Sequence, residues 1–148
     1  DYQFQESIII GSMIIGNRVS KNKICEAKLS AWLNLDKMRL NHPAMIISTK
    51  TYKKIGKYNE NRKIISDYEW CLKALKTKIK LIKYKNCLTY HELGGISTEY
   101  GKSRLTLHLA CIKVVHNCYG ASLKLVIAII TRLGRFLISR LILIFRNI

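Results

Sequence analysis

The sequence predicts an α/β protein, with a partial mixed sheet, flanking helices and a helical, amphipathic C-terminal extension. Three observations predict this class. Short β-branched runs alternate with stretches of helical periodicity over the first 99 residues. From about Tyr100 the pattern is helical to the end. No repeat or low-complexity linker interrupts the chain, which contains a single proline. We therefore predict an α/β domain over residues 1–99 and a basic helical extension over residues 100–148.

The first predicted elements are a strand and a helix. Residues Ser7 to Ile15 are apolar and β-branched, are broken by Gly11 and are followed by Gly16-Asn17, which is typical of a strand that ends in a turn. Apolar residues from Ile24 to Leu35 recur near helical spacing, so we predict a helix there.

The middle of the chain alternates between strand and helix periodicity. The predicted segments are a strand at 44–48, helices at 49–55 and 67–77, a strand at 79–84, and an extended segment at 87–91 that leads into Gly94-Gly95. The helical region that follows is expected to break at Gly120 or Gly134.

The charge is strongly unbalanced, with 26 Lys and Arg against 9 Asp and Glu and a net charge of +17. Such an excess indicates a polyanionic partner, either nucleic acid or an anionic membrane surface. A codon bias toward Lys explains part of the excess but not its distribution. All nine acids lie at or before Glu99, and the 49 residues that follow carry eight basic residues and no acid. No stripe of interleaved aromatic and basic residues is evident, so we expect no nucleic-acid partner.

The five cysteines form no Cys-x-x-Cys pair and have no matching His spacing, which excludes the common zinc modules. Reduced, mostly buried thiols in a cytoplasmic protein are the expected state. The sequence also contains no Asp-x-Asp element and no Gly-rich phosphate loop.

Four motifs follow one another between residues 41 and 98, and they resemble, in order and spacing, the acceptor-side, C-terminal part of family-2 glycosyltransferases of the GT-A fold. The resemblance covers this segment well and the rest of the chain loosely. The motifs are His42-Pro43 before a strand, the turn Gly56-Lys57-Tyr58-Asn59-Glu60, the helix start Ser66-Asp67-Tyr68-Glu69-Trp70, and the loop Gly94-Gly95-Ile96-Ser97.

The resemblance implies a partial GT-A-like sheet and an inverting transfer of one sugar from a nucleotide-sugar donor to a glycan or lipid-linked acceptor. A complete GT-A domain needs roughly 200 or more residues, whereas this chain has 148. We therefore expect the chain to be a C-terminal portion that lacks the nucleotide-binding half. A divalent cation, Mn or Mg, is expected for the full enzyme, with its ligands outside this chain.

The acidic helix start supplies the predicted catalytic residue. In the family the first Asp of this element is the general base, a role that the resemblance assigns to Asp67. A carboxylate at a loop-to-helix junction can face a cleft while its backbone is held rigid. Residues Ser66 to Glu69 also match a Ser-x-x-Glu capping box, with both acids near the positive end of the helix. The two roles can coexist.

Five further residues are predicted to contact the acceptor: His42, Glu69, Trp70, Gly94 and Gly95. His42 precedes proline and is expected to be extended, where it either binds an acceptor oxygen or is a satisfied structural histidine. Trp70 either stacks on a sugar or fills the core. The two glycines permit a turn with positive φ close to a ligand.

The pattern of residues 123–148 predicts a helix that lies on an anionic membrane surface. The expected location is peripheral, on the inner face of the cell membrane. The longest uncharged stretch, Leu125 to Thr131, is much too short to span a bilayer. A cationic stripe beside a wide apolar face suits the headgroup region. The alternative is a helix packed on its own domain or on a partner. The polar residues fall within about a 100° sector and are Lys124, Ala128, Thr131, Arg132, Arg135, Ser139 and Arg146.

Two other functions remain open at this point. The first is a catalytically inactive remnant that has lost the donor-binding half. The second is a non-enzymatic basic module that binds a membrane or nucleic acid. An upstream reading frame that encodes a half with Asp-x-Asp would separate the active enzyme from the remnant.

Overall fold

A computed structural model describes residues 6–16, 23–30, 34–35, 37–62, 64–77, 79–92 and 104–146. Within these ranges the chain forms a small open sheet and four α-helices, which confirms the α/β class. The strands are β1 (Ser7–Gly16), β2 (Lys23–Cys25), β3 (Met45–Ile47) and β4 (Lys80–Glu92). The helices are α1 (Thr49–Ile55), α2 (Ser66–Lys76), α3 (Arg104–Tyr119) and α4 (Leu123–Arg146), with a 3-10 turn at His42–Ala44.

Strand β1 is the centre of the sheet. Its first half pairs antiparallel with β3, with Ile9 opposite Ile46, and its second half pairs antiparallel with β2, with Ile14 opposite Ile24. Strand β4 runs parallel along the other edge of β1, with Ile9 also opposite Ile82. Two antiparallel pairs and one parallel pair make up this sheet.

Gly11 does not break β1, contrary to the sequence-based prediction. The strand continues through it, and the register between β1 and β4 shifts on both sides of Ser12. A Cβ atom at Gly11 would lie 2.5 Å from Cγ of Leu88, so the glycine leaves room for a side chain of the bulged neighbour. The predicted segments 79–84 and 87–91 are therefore one bulged strand.

Helix α2 lies between two groups of buried side chains. Its Trp70, Cys71 and Ala74 pack toward the sheet, and its Tyr68 and Leu72 pack toward α3 and α4. The first group, the sheet core, consists of Ile8, Ile10, Ala27, Leu40, Trp70, Cys71, Ala74 and Ile79. The second group, the helical core, consists of Leu35, Ile65, Tyr68, Leu72, Cys111, Val114, Val115, Cys118 and Ala128.

The predicted helix over Ile24 to Leu35 is wrong for the residues that the structure describes. The segment begins as β2 and continues without helix to residue 30. Buried Asn34 accounts for the irregular backbone, because its amide donates to the carbonyls of Lys28 and Ser30 while its oxygen accepts from the backbone N–H groups of Arg39 and Leu40. These side-chain bonds replace a helical ladder.

The C-terminal region is helical and breaks once among the described residues, at Gly120, which has a φ of 66°. A positive φ of this kind ends α3 at low cost only for glycine. Gly134, the other predicted break, lies inside α4. Among the described helices, none is long and apolar enough to cross a membrane.

Helix α4 is oriented with its polar sector toward the domain. Ala128 is fully buried and Arg132 is only 5% exposed, so the middle of the sector contacts protein. The prediction that Arg132 meets lipid headgroups is therefore wrong. The opposite face of α4 is apolar and exposed, and it consists of Leu123, Val126, Ile130, Leu137, Ile138, Leu141, Ile142 and Phe145.

Candidate functional site

A cavity of about 530 Å³ lies where the 3-10 turn, the start of α2, the end of β4 and the two C-terminal helices meet. It brings together two of the predicted site residues, Asp67 and His42, with groups from distant parts of the chain. Its remaining lining residues are Met13, Ile15, Lys37, Met38, Leu40, Asn41, Pro43, Ile64, Tyr68, His91, Leu107, His108, Cys111, Arg132 and Arg135.

Asp67 lies in the first turn of α2, and its side chain is about one third exposed. One carboxylate oxygen, Oδ1, accepts a 2.7 Å hydrogen bond from the backbone N–H of Tyr68. The other oxygen, Oδ2, lies 3.5 Å from Nδ1 of His42. The helix holds the carboxylate at the cavity wall with one oxygen anchored and the other turned toward His42.

The predicted capping box does not form. The N-cap of α2 is Ile65, and no side chain caps the helix start. Ser66 is the first helical residue, one position too late for its hydroxyl to reach the N3 amide, and Glu69 is occupied elsewhere. Asp67 is therefore not explained as part of that reciprocal cap.

His42 begins the 3-10 turn and is not extended, which corrects the sequence-based expectation. The N–H of Ala44 donates to the carbonyl of Asn41 over 2.7 Å and closes the turn. Burial lowers the pKa of His42 below its ordinary value of 6.5; the Asp67 carboxylate raises this pKa and His91 lowers it further. A lowered pKa favours a neutral imidazole at neutral pH, next to the carboxylate.

Glu69 does not line the cavity, so its predicted contact with the acceptor is not supported. Its carboxylate is buried and lies 3.0 Å from Nε of Arg62 and 2.9 Å from Nζ of Lys73. Asn59 donates a third contact of 3.3 Å. A buried carboxylate surrounded by these donors holds α2 to the preceding loop, which is a structural role.

Trp70 also lies away from the cavity, with 1% of its surface exposed. Its indole N–H donates a 2.8 Å hydrogen bond to the carbonyl of Gly56, and its ring stacks on Tyr52 with centroids 5.8 Å apart. Tyr58 packs against the same ring at 5.6 Å. The structure places Trp70 in the sheet core and corrects its assignment as an acceptor contact. Gly94 and Gly95 lie outside the described residues.

Arg132 is the cavity residue that sequence analysis misread. Its Nε donates a 2.9 Å hydrogen bond to the carbonyl of Leu35, and its guanidinium carbon lies 4.8 Å from the centroid of the Tyr68 ring. The one sequence signal for this inward position is Ala128, a small residue one turn earlier on the same face.

The described residues contain no group of three or more His, Cys, Asp or Glu that could hold a metal ion. All five cysteines are free thiols, and Cys71, Cys111 and Cys118 are buried. Burial raises the pKa of Cys71 to about 12 and also raises the pKa values of Cys111 and Cys118, which makes these three thiols poor nucleophiles.

The chain matches no protein-family model, and searches of curated proteins and of solved structures find no match.

Proposed function

We propose that the chain is the acceptor-side part of a family-2-like inverting glycosyltransferase of the GT-A type. It supplies the acceptor site and the catalytic base for transfer of one sugar from a nucleotide-sugar to a glycan or lipid-linked acceptor. A nucleotide-binding half outside this chain supplies the donor. In this proposal the Asp67 carboxylate removes the proton from the acceptor hydroxyl while that oxygen attacks the anomeric carbon.

The observation that carries the proposal is the position of Asp67. The motif order singles out this residue, and its carboxylate lies at the wall of a 530 Å³ cavity, within 3.5 Å of His42. A neutral imidazole beside the carboxylate can donate a hydrogen bond to a sugar oxygen or to the carboxylate itself. Catalytic hydrogen bonds are often long without substrate, so 3.5 Å is compatible with the role.

An NMR titration of the full chain tests the proposal. We expect neutral glycans to shift the resonances of Asp67, His42 and other cavity residues in a saturable way. We expect no micromolar binding of UDP-, GDP- or dTDP-sugars with manganese, because the chain lacks Asp-x-Asp and a phosphate-binding loop. Micromolar binding of a nucleotide-sugar would place the donor site within this chain. No glycan binding at the cavity would favour the inactive remnant.

We further infer that α4 attaches the protein peripherally to an anionic membrane surface, on the cytoplasmic side. The exposed apolar face of α4 provides the area for insertion, with Phe145 73% exposed. Residues 100–148 contain no acid, so nothing in this region repels anionic headgroups. The exposed Arg140 lies beside the apolar face and is suited to contact a lipid phosphate.

Vesicle co-sedimentation at low and high salt checks this membrane attachment. We expect the full chain to sediment with vesicles that contain phosphatidylserine and to be released as salt rises, because surface attraction is screened within about 10 Å at 0.1 M. Replacing Leu137, Leu141 and Phe145 by Gln should weaken binding by more than about tenfold, since each inserted side chain contributes about 1.5–3 kcal/mol.

The matched control replaces Ile24 and Ile46, exposed apolar residues of the sheet, by Gln. This control should bind vesicles as the wild type does. Equal binding of the α4 variant and the wild type would show that this face does not contact lipid. Salt-independent binding to vesicles of phosphatidylcholine alone would contradict the electrostatic part of the inference.

A further inference from the structure

Arg132 is a buried cation fixed on the wall of the cavity. Its Nε donates to the carbonyl of Leu35, and the hydroxyl of Tyr68 donates to the same carbonyl over 2.8 Å. The guanidinium also lies over the Tyr68 ring. Helix α4, the segment around Leu35 and helix α2 therefore position this one charge together. The two Nη groups carry the four remaining N–H donors of the guanidinium.

Arg132 has no acidic partner among the described residues, where no carboxylate lies within salt-bridge distance of it. Buried charges in proteins are ordinarily paired, because burying an unpaired charge is energetically costly. The carbonyl of Leu35 and the Tyr68 ring stabilise the guanidinium but do not neutralise it. A buried cation without an acidic partner at a cavity wall is suited to bind an anion that enters the cavity.

The charged residues that line the cavity carry a net positive charge. Asp67 is the one carboxylate among the described lining residues. Lys37 and Arg132 place two positive charges beside its negative charge, and Arg135 adds a third. A phosphate ester carries close to two negative charges at pH 7 and offers three acceptor oxygens, which suit a guanidinium fork together with an ammonium group. A carboxylate carries half that charge. The lining therefore favours phosphate.

We propose that the cavity binds a phosphate group of the acceptor, with Arg132 as the main contact and Lys37 at the open side. The inference rests on the proposed function, since it places the phosphate in the cavity where Asp67 receives the acceptor hydroxyl. It adds the chemical class of the acceptor, a sugar that bears a phosphate monoester, to that function. The phosphate positions the hydroxyl, and Asp67 acts on it.

The experiment measures binding to the full chain by calorimetry and NMR at constant ionic strength. The constant ionic strength matters because a chain of net charge +17 attracts any anion non-specifically. The probes are inorganic phosphate, a hexose 1-phosphate, the parent hexose and a hexuronate. We expect saturable binding of phosphate and of the hexose phosphate with shifts at Arg132, Tyr68 and Asp67. The hexose and the hexuronate should bind at least tenfold more weakly.

Two variants of Arg132 separate the anion site from a purely structural arginine. Arg132→Lys keeps the charge but loses the fork, and Arg132→Gln loses both, so phosphate affinity should fall by about 10- to 100-fold for loss of charged hydrogen bonds. The matched control is Lys113→Gln on the neighbouring helix α3, where an exposed cation does not line the cavity. Its phosphate affinity should stay within twofold of the wild type.

The wild-type titration decides the matter even where a variant unfolds. Absence of saturable phosphate shifts at the cavity would overturn the inference, and so would unchanged affinity in a folded Arg132→Lys variant. Tighter binding of the hexuronate than of the hexose phosphate would replace phosphate by carboxylate. If neutral glycans bind while phosphate does not, the proposed function stands without this inference. If phosphate binds but loss of Asp67 leaves turnover unchanged, the anion site stands and the transferase proposal falls.

Discussion

Asp67→Asn is expected to lower turnover by about 10² to 10⁴-fold in an enzyme that carries the donor-binding half upstream of this chain, which is the usual range for loss of a general base. The amide cannot take up the proton of the acceptor hydroxyl. Folding should change little, because the Asn oxygen can still accept from the Tyr68 N–H as Oδ1 of Asp67 does. Steady-state kinetics with denaturant unfolding measures both quantities.

Glu60→Gln is the matched control for this prediction. Glu60 is an exposed carboxylate in the same motif region and does not line the cavity. Its removal should leave turnover within twofold of the wild type. Turnover of Asp67→Asn within a few-fold of the wild type would reject Asp67 as the base, whatever else binds in the cavity.

Trp70→Ala is expected to cost about 3–5 kcal/mol of unfolding free energy, the typical loss for removing a buried tryptophan. The change deletes the stacking with Tyr52, the contact with Tyr58 and the hydrogen bond to the Gly56 carbonyl. Denaturant unfolding gives the value. Tyr84→Ala, at an exposed aromatic residue on β4, is the control and should cost less than about 1 kcal/mol.

A second variant, Trp70→Phe, discriminates between the two interpretations of Trp70. A core residue affects stability first, so Trp70→Phe should fold, should lose part of the stability and should bind glycans as the wild type does. A Trp70→Phe protein of wild-type stability with weakened glycan binding would return this side chain to the acceptor site.

Local sequence signals predicted most elements of the fold but not their irregularities. Helix α1 begins after Ser48 and ends at Gly56, and α3 ends at Gly120. The chemistry of these residues predicts such boundaries, because helix-capping signals act within a few residues. The segment from 24 to 35 was mispredicted because Asn34 bonds the backbone on both sides of itself. The continuity of β1 through Gly11 depends on Leu88, which lies 77 positions away in the chain and is invisible to a local pattern.

The residues of the candidate site likewise divide into those that a local sequence signal predicts and those that it does not. Asp67 and His42 were found from a motif, and the structure places both at one cavity. Glu69 and Trp70, close neighbours of Asp67 in sequence, were assigned to the site although a helix turns them toward other partners. The sequence predicts the correct face of α4 for Arg132 but the wrong surroundings, because helical periodicity shows that a polar face exists but not whether it meets water, lipid or protein.

The orientation of α4 sets the distance between the cavity and the exposed apolar face of the helix. Arg132 and the exposed apolar residues lie on opposite sides of one helix, and an α-helix with its side chains is about 10 Å across. With the apolar face resting on a bilayer, as we propose, the Arg132 wall of the cavity lies roughly one helix diameter above the lipid surface. In that proposed arrangement the spacing favours lipid-anchored acceptors with extended head portions over short ones.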